Sequence, residues 1–314
     1  MSENSSRKTA FIFPGQGSQA LAMLQDFASE SIVNSSFEQA SDQLGYDVWQ
    51  LCQQGPVESL NQTDKTQPAL LTASYALWRL WQQRAELPKL VAGHSLGEYS
   101  ALVCAGILDF EQGVKLVEQR GQFMQQAVAA GVGKMAAIIG LDDALVEQAC
   151  EQSADGEIVS PVNYNSPGQV VIAGNADAVE RAMVACKDKG AKRALPLAVS
   201  VPSHCLLMKP ASEQLAMALQ SIEFKSSDIQ LINNVDVKRE TDQAAIKDAL
   251  VRQLYCPVRW SNCVLKLSEM GIENLVECGP GKVLTGLNRR IDRGLNSFCL
   301  QQASSFEQAV ETLK

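Results

Sequence analysis

Histidine is nearly missing from this sequence: 314 residues contain two, His94 and His204. Any general base built on imidazole must draw on that pair alone. Long apolar runs are missing too. The longest charge-free stretches, such as Thr66–Trp78 and Ile158–Ala176, are broken by Gln, Asn, Pro and Gly, well short of the roughly 18 continuous apolar residues of a membrane span. No C-x-x-C pair occurs among the nine scattered cysteines. Such a set reads as small buried hydrophobes in a reducing compartment, not as a disulfide framework. Positive charge is in short supply, with 27 Lys and Arg against 35 Asp and Glu and a net charge of -8. That balance argues against broad nucleic-acid binding. Met1–Lys8 is polar, and the four apolar residues Ala10–Phe13 that follow are too few for a secretory h-region, so a cytoplasmic location is expected.

What is present is an ordinary globular composition, 46% hydrophobic and 20% charged. That excludes disorder for the bulk of the chain. The length allows one large domain or two smaller ones and buries most apolar surface without staples.

The rhythm of elements points to an α/β fold. Thr9–Phe13 reads as a buried strand, and Pro14–Gln19 as a turn into a helix. A helix-rich stretch runs to about Gln83, then Leu90–Ala92 is a strand ending at Gly93, with helices over Leu96–Ala105 and Phe110–Ala130. This alternation suggests a largely parallel sheet. Between about Gly131 and Ser200 the order becomes β-α-β-β-α-β: strands Met135–Ile139, Ile158–Tyr164, Gln169–Ala173 and Ala194–Val199, with helices Asp142–Ser153 and Ala176–Lys189. That is a ferredoxin-like unit. The α/β rhythm then resumes, with strands Ile229–Val235 and Asn274–Glu277 and helices Gln243–Leu254, Val258–Glu269 and Lys282–Ile291. The expected fold is therefore a hydrolase-like α/β core with a largely parallel sheet, built from residues 1–130 and 201–314. A small ferredoxin-like subdomain, residues 131–200, is inserted into it.

Gly93-His94-Ser95-Leu96-Gly97 is a G-x-S-x-G between a strand and a helix, the context of a nucleophile elbow. The glycines permit a sharp turn that presents the Ser95 hydroxyl at the sheet edge. The helix N-terminus behind it offers free N–H groups to a developing oxyanion. Ser95 then needs a base. The side chain of His94 would point away on an elbow, which leaves His204. No Asp or Glu stands out as a third member, so a dyad oriented by a backbone carbonyl fits. The usual Ser…Asp…His order of α/β-hydrolases places a histidine near the chain end, and none follows His204.

Arg120 lies on the apolar stripe of its helix, with Leu116 and Val117 one turn before and Phe123 and Met124 one turn after. A guanidinium there needs an anion. It is either paired with a protein carboxylate or a clamp for a substrate carboxylate. Gly15-Gln16-Gly17-Ser18-Gln19-Ala20 formally fits a dinucleotide loop, but Pro14 occupies the approach and nothing else suggests a nicotinamide site. No cofactor and no metal is expected.

Five motifs occur together in order: Phe13-Pro14-Gly15-Gln16-Gly17-Ser18-Gln19, Gly93–Tyr99, Gln119-Arg120-Gly121, Pro202-Ser203-His204 and Glu277-Cys278-Gly279-Pro280-Gly281. On these the sequence resembles the malonyl-CoA:acyl carrier protein transacylase family, in its stand-alone bacterial form, from Thr9 to about Phe298. The resemblance implies malonyl transfer from malonyl-CoA to the phosphopantetheine thiol of acyl carrier protein, in fatty-acid biosynthesis, through a malonyl-Ser95 ester. His204 matches the partner base. Gln16 and Leu96 match the backbone oxyanion donors, and Arg120 the residue that pairs with the malonyl carboxylate. Gln253 matches the residue whose main-chain carbonyl orients the histidine. The Val201-Pro202-Ser203 stretch departs from synthase-embedded relatives, which carry an aromatic residue there, so extender-unit selectivity is not read from it. The expected partners are malonyl-CoA and acyl carrier protein, with no nucleic acid and no membrane, and the chain is expected to act as a monomer.

An acidic carrier calls for a local basic surface. Arg289, Arg290 and Arg293 form the densest basic cluster, and Lys187, Lys189, Lys192 and Arg193 lie on the inserted unit. Two other classes stay open at this point. One is a serine hydrolase on the same elbow, although Asp155-Gly156-Glu157 departs from the Asp-Gly-Gly/Ala element of patatin-like hydrolases. The other is a non-catalytic docking module on the same fold.

Overall fold

The computed structural model describes residues 8–199 and 201–314. The polar N-terminal stretch, apart from Lys8, and Ser200 at the expected edge of the inserted unit lie outside the described residues. In chain order the strands are β1 (Thr9–Phe13), β2 (Leu90–Gly93), β3 (Gly133–Ile139), β4 (Val159–Ser166), β5 (Gln169–Asn175), β6 (Arg193–Pro196), β7 (Gln230–Ile232), β8 (Arg239–Glu240), β9 (Asn274–Glu277) and β10 (Asn296–Cys299).

Six of them form one sheet in the order β10-β9-β1-β2-β7-β8. All its pairings are parallel except β7 with β8. β1 is buried at all five positions, as expected where helices cover both faces of a parallel sheet. Its side chains alternate between two cores. Phe11 and Phe13 point into the larger one, against Trp78 and Trp81 of the helix Thr63–Gln82. Ala10 and Ile12 point into the other, against Trp260, Val264 and Leu284. The period-2 alternation of a strand thus anchors the sheet between two helical layers.

The other four strands form an antiparallel sheet in the order β4-β5-β3-β6. The helices Asp143–Ser153 and Ala176–Asp188 bury Val146, Ala149, Val179 and Ala182 against Ile138, Val170 and Ile172. This is the β-α-β-β-α-β order expected from the sequence. Backbone hydrogen bonds tie the small sheet to the larger body. Val258 N–H donates to the Val162 carbonyl at 2.9 Å, and Tyr164 N–H to the Val258 carbonyl at 3.0 Å.

Several boundaries differ from the sequence expectation for local reasons. The turn after β1 does not open a helix. Ala22 and Leu24 take positive φ, a 3-10 turn follows at Gln25–Phe27 and the first α-helix begins at Ser31. The helix expected from Val258 starts at Trp260, because Val258 spends its backbone groups on β4. The strand expected over Ile229–Val235 ends at Ile232, and Asn233 and Asn234 turn inward. β6 ends at Pro196, a residue with no N–H to continue a ladder. The helices Lys209–Gln220 and Ala303–Leu313 and the strand β10 were not expected. All nine cysteines are free, seven of them buried. No helix among the described residues is long and apolar enough to cross a membrane.

Candidate active site

The loops after β1 and β2 meet at the carboxyl ends of adjacent parallel strands, where open α/β sheets place ligands. Ser95 sits between β2 and the helix Leu96–Cys104 with φ 52 and ψ -108, a strained conformation for a residue with a Cβ. The tight approach explains the flanking glycines. A Cβ at Gly93 would lie 1.9 Å from the Gly97 carbonyl carbon, and one at Gly97 would lie 2.0 Å from the Phe13 oxygen. Asn234 clasps the turn from β7. Its Nδ2 donates to the Gly93 carbonyl at 2.6 Å, and its Oδ1 accepts from Ser95 N–H at 2.8 Å.

His204 reaches the same point from the loop after β6. Its Nε2 is 2.8 Å from Ser95 Oγ and its Nδ1 2.6 Å from the Gln253 main-chain oxygen. A carbonyl only accepts, so Nδ1 carries the hydrogen and Nε2 turns its lone pair toward the serine. Its backbone is fixed by the bond from His204 N–H to the Leu254 carbonyl at 3.0 Å. Burial, and then the Arg120 guanidinium, push the imidazole pKa down to about 3 against the opposing pull of the Gln253 carbonyl. The base is therefore neutral at physiological pH. His94 turns the other way, with Nε2 2.8 Å from Asn165 Oδ1 on β4 and its ring beside Trp260.

Arg120, on the helix Phe110–Ala127, is 1% exposed. Its Nη1 donates to Gln67 Oε1 at 2.8 Å and its Nη2 to Gln253 Oε1 at 3.0 Å. Nη2 also lies 3.4 Å from Ser95 Oγ. Among the described residues no carboxylate is within ion-pair distance of it, and its Nε has no partner. The pairing with a protein carboxylate weighed from the sequence is not formed. Burial pulls the guanidinium pKa downward. The positive charge is held by neutral amide oxygens and by the Tyr99 ring, whose centroid lies 5.2 Å from Cζ, and is left without a direct counter-ion.

Leu96 opens its helix, so its N–H has no intrahelical acceptor. Gln16 follows β1 in the Pro14–Gly17 turn, and its side chain reaches Thr63 Oγ1 at 3.4 Å. Both line a cleft of about 200 Å³ together with Ser95, Arg120 and His204. The opposite wall comes from the small sheet and its flanks: Met135, Asn163, Asn165, Gln169, Val171, Leu197 and Val199. Val283, Leu284 and Leu287 of the helix Val283–Ile291 complete the lining. The same helix carries Arg289 and Arg290 on its exposed side, and Arg290 Nη1 donates to Gln169 Oε1 at 2.9 Å.

All six expected site residues thus converge, with Gln253 contributing both its main chain and its side chain. Sequence reading missed Gln67, Asn234 and Glu98 as structural partners of this group. Glu98 carried a signal: it is the one charge in the apolar segment Leu96–Cys104. Gln67 and Asn234 carried none. Among the described residues no group of three or more His, Cys, Asp or Glu converges as a metal site.

Residues 10–308 match the acyl transferase domain family. The chain is 60% identical to the malonyl CoA-acyl carrier protein transacylase of Salmonella typhimurium over 303 residues, 96% of this chain and 98% of that protein. Identity to the protein of the same name from Escherichia coli K12 is also 60%, over 304 residues with the same coverage. An acyl carrier protein S-malonyltransferase from Vibrio cholerae superposes with a TM-score of 0.94 at 61% identity, covering 96% of this chain and 99% of that one. A malonyl-transacylase solved in complex with its type II polyketide acyl-carrier protein superposes with a TM-score of 0.96 at 57% identity, covering 97% and 99%. Elbow, buried arginine, fold and full-length similarity all lead to one assignment: the chain belongs to the malonyl-CoA:acyl carrier protein transacylase family of acyltransferases.

Proposed function

We propose that the chain moves a malonyl group from malonyl-CoA to the phosphopantetheine thiol of acyl carrier protein through a malonyl-Ser95 ester, in fatty-acid biosynthesis. One observation carries this reading: the Ser95 hydroxyl lies 2.8 Å from a neutral imidazole nitrogen and 3.4 Å from a buried guanidinium. Nucleophile, base and anion receptor share one oxygen.

In the first half-reaction Ser95 Oγ gives its proton to His204 Nε2 and bonds to the thioester carbonyl carbon. The carbonyl oxygen takes the electron pair and is met by the Gln16 and Leu96 N–H groups, each such donor being worth roughly 10²–10³ in rate. Collapse breaks the C–S bond, and the CoA sulfur leaves with the proton from His204. In the second half the carrier thiol passes its proton to His204 and attacks the ester. The C–O bond then breaks and Ser95 regains its proton. This is ping-pong acyl transfer. Arg120 receives the malonyl carboxylate. An acetyl group leaves that guanidinium unpaired, and breaking a buried pair costs about 3–5 kcal/mol.

Residues 131–200 serve in this reading as a small subdomain inserted into a body formed by 1–130 and 201–314. The protein acts as a cytoplasmic monomer, and Arg289 and Arg290 flank the cleft as docking charges for the acidic carrier. Mass spectrometry of Ser95 after exposure to malonyl-, methylmalonyl- and acetyl-CoA in parallel tests the reading. A stable malonyl adduct that exceeds the acetyl one is expected. No adduct, or an equal acetyl adduct, would overturn it.

A further inference from the structure

Glu98 is 1% exposed, one helical turn beyond Ser95, and the reaction steps above do not use it. One of its oxygens, Oε2, accepts from Gln253 Nε2 at 2.8 Å and from Asn234 N–H at 3.0 Å. Gln253 is the residue whose other amide atom, Oε1, accepts from Arg120 Nη2 at 3.0 Å.

A carboxamide has two chemically different ends, and the environment decides which faces where. Around Gln253 Nε2 lie only acceptors: Glu98 Oε2 at 2.8 Å, the Ser95 carbonyl at 3.2 Å and Asn234 Oδ1 at 3.5 Å. Glu98 makes the shortest of these contacts. Burial raises its carboxyl pKa to about 7 against the pull of Gln253, Asn234 and Arg120. The Asn234 N–H on the same oxygen leaves Oε2 an acceptor whether or not the carboxyl is ionised. With the nitrogen drawn to Glu98, the oxygen must face Arg120, which only donates. Turning the amide over would set its oxygen against Glu98 Oε2, already an acceptor from Asn234 N–H, and its NH2 against a guanidinium. Glu98 also fixes Asn234, whose side chain clasps the elbow at Gly93 and Ser95.

The arrangement has a second consequence. Glu98 stands one amide away from Arg120; burial disfavours the guanidinium, and Tyr99 and then Glu98 favour it. A direct pair would compete with a substrate carboxylate. An intervening amide places the carboxyl near the guanidinium while the Nη2 edge toward Ser95 stays open.

We propose that Glu98 is a positioning residue for acyl selectivity: through the Gln253 side chain it aims the Arg120 guanidinium at the acyl carboxylate. This rests on the reading of Arg120 as the carboxylate receptor, and the test separates the two.

The readout is the ratio of malonyl to acetyl kcat/KM in Ser95 acylation. Glu98→Met keeps the length and removes the acceptor. It is expected to lower the ratio by about tenfold to a hundredfold, the range of a strong hydrogen bond, through a raised malonyl-CoA KM. Loosening of the Asn234 clasp slows malonyl and acetyl acylation alike and cancels in the ratio. Glu98→Gln offers a carboxamide oxygen at the Oε2 position and is expected to restore the ratio. Gln253→Leu keeps the main-chain carbonyl that holds His204 and is expected to lower the ratio as Glu98→Met does. In the double variant the two effects should not add. A full malonyl preference in Glu98→Met, or additive effects in the double variant, overturns the proposal. So does a full preference in Gln253→Leu, which decides the matter even where Glu98→Met fails to fold. If instead Arg120→Ala keeps the malonyl preference, the receptor reading itself has failed.

Discussion

The Nδ1 atom of His204 lies 2.6 Å from the main-chain oxygen of Gln253. A peptide carbonyl here stands where many serine enzymes place a carboxylate. It fixes the same tautomer without adding a negative charge. Nothing anionic therefore raises the imidazole pKa, and burial and Arg120 lower it.

The pH dependence follows from that sign. A base whose pKa is held at about 3 stays neutral through mild acid, so Ser95 malonylation should persist at pH 5, where an ordinary imidazole of pKa near 6.5 is mostly protonated. The folded state favours the neutral ring. The stability it contributes is present above pH 6.5 and lost as pH falls from 6.5 toward 3. His204→Ala should cut acylation by about 10²–10⁴ and flatten the fall of Tm across that window. Rapid-quench acylation and thermal melts between pH 4 and 7 check both, and an acid limb centred near 6.5 would contradict the assignment.

Arg120 depresses the His204 pKa and offers its charge to the acyl group. Arg120→Ala should reduce the malonyl preference by about two orders of magnitude or more, the scale of a broken buried pair. It should also move the acid limb of acetyl transfer upward in pH. Competition between the two thioesters, followed across pH, reads both effects in one experiment.

The elbow leaves no room for a methyl group. At Gly97 a Cβ would sit 2.0 Å from the Phe13 oxygen, and the obstacle is backbone of the central strand. Gly97→Ala should destabilise the fold by about 3 kcal/mol and displace Ser95. A lowered denaturation midpoint with lost acylation is expected. Gly286→Ala, where nothing lies within 4 Å of the added atom, serves as the tolerant control.

Arg289 and Arg290 stand exposed on the helix that lines the cleft. Reversing both to Glu should raise the KM for carrier protein about tenfold and leave Ser95 acylation by malonyl-CoA within a few-fold, since rim charges act mainly on encounter. The carrier effect should shrink with added salt.

Much of this was legible in the sequence because the decisive signals are local. The buried strand before Pro14, the G-x-S-x-G at Ser95 and the inward phase of Arg120 each follow from a few adjacent residues. The scarcity of histidine then singled out His204. What stayed hidden depends on distant chain returning to the site. The Asn234 clasp spans 139 residues to Ser95, and the bond from Gln253 to Glu98 spans 155. No periodicity encodes such meetings. Boundaries were missed for a related reason: Val258 could pass for the start of a helix until β4 claimed its backbone groups.

The most direct measurement is a single-turnover chase. Enzyme loaded with isotopically labelled malonyl-CoA is freed of excess thioester, its label is mapped to Ser95, and holo acyl carrier protein is then added. The label should move to the phosphopantetheine thiol of the carrier in one turnover, with little free malonate beforehand. Label that leaves Ser95 as malonate at the same rate with or without carrier, or that never resides on Ser95, would contradict the account.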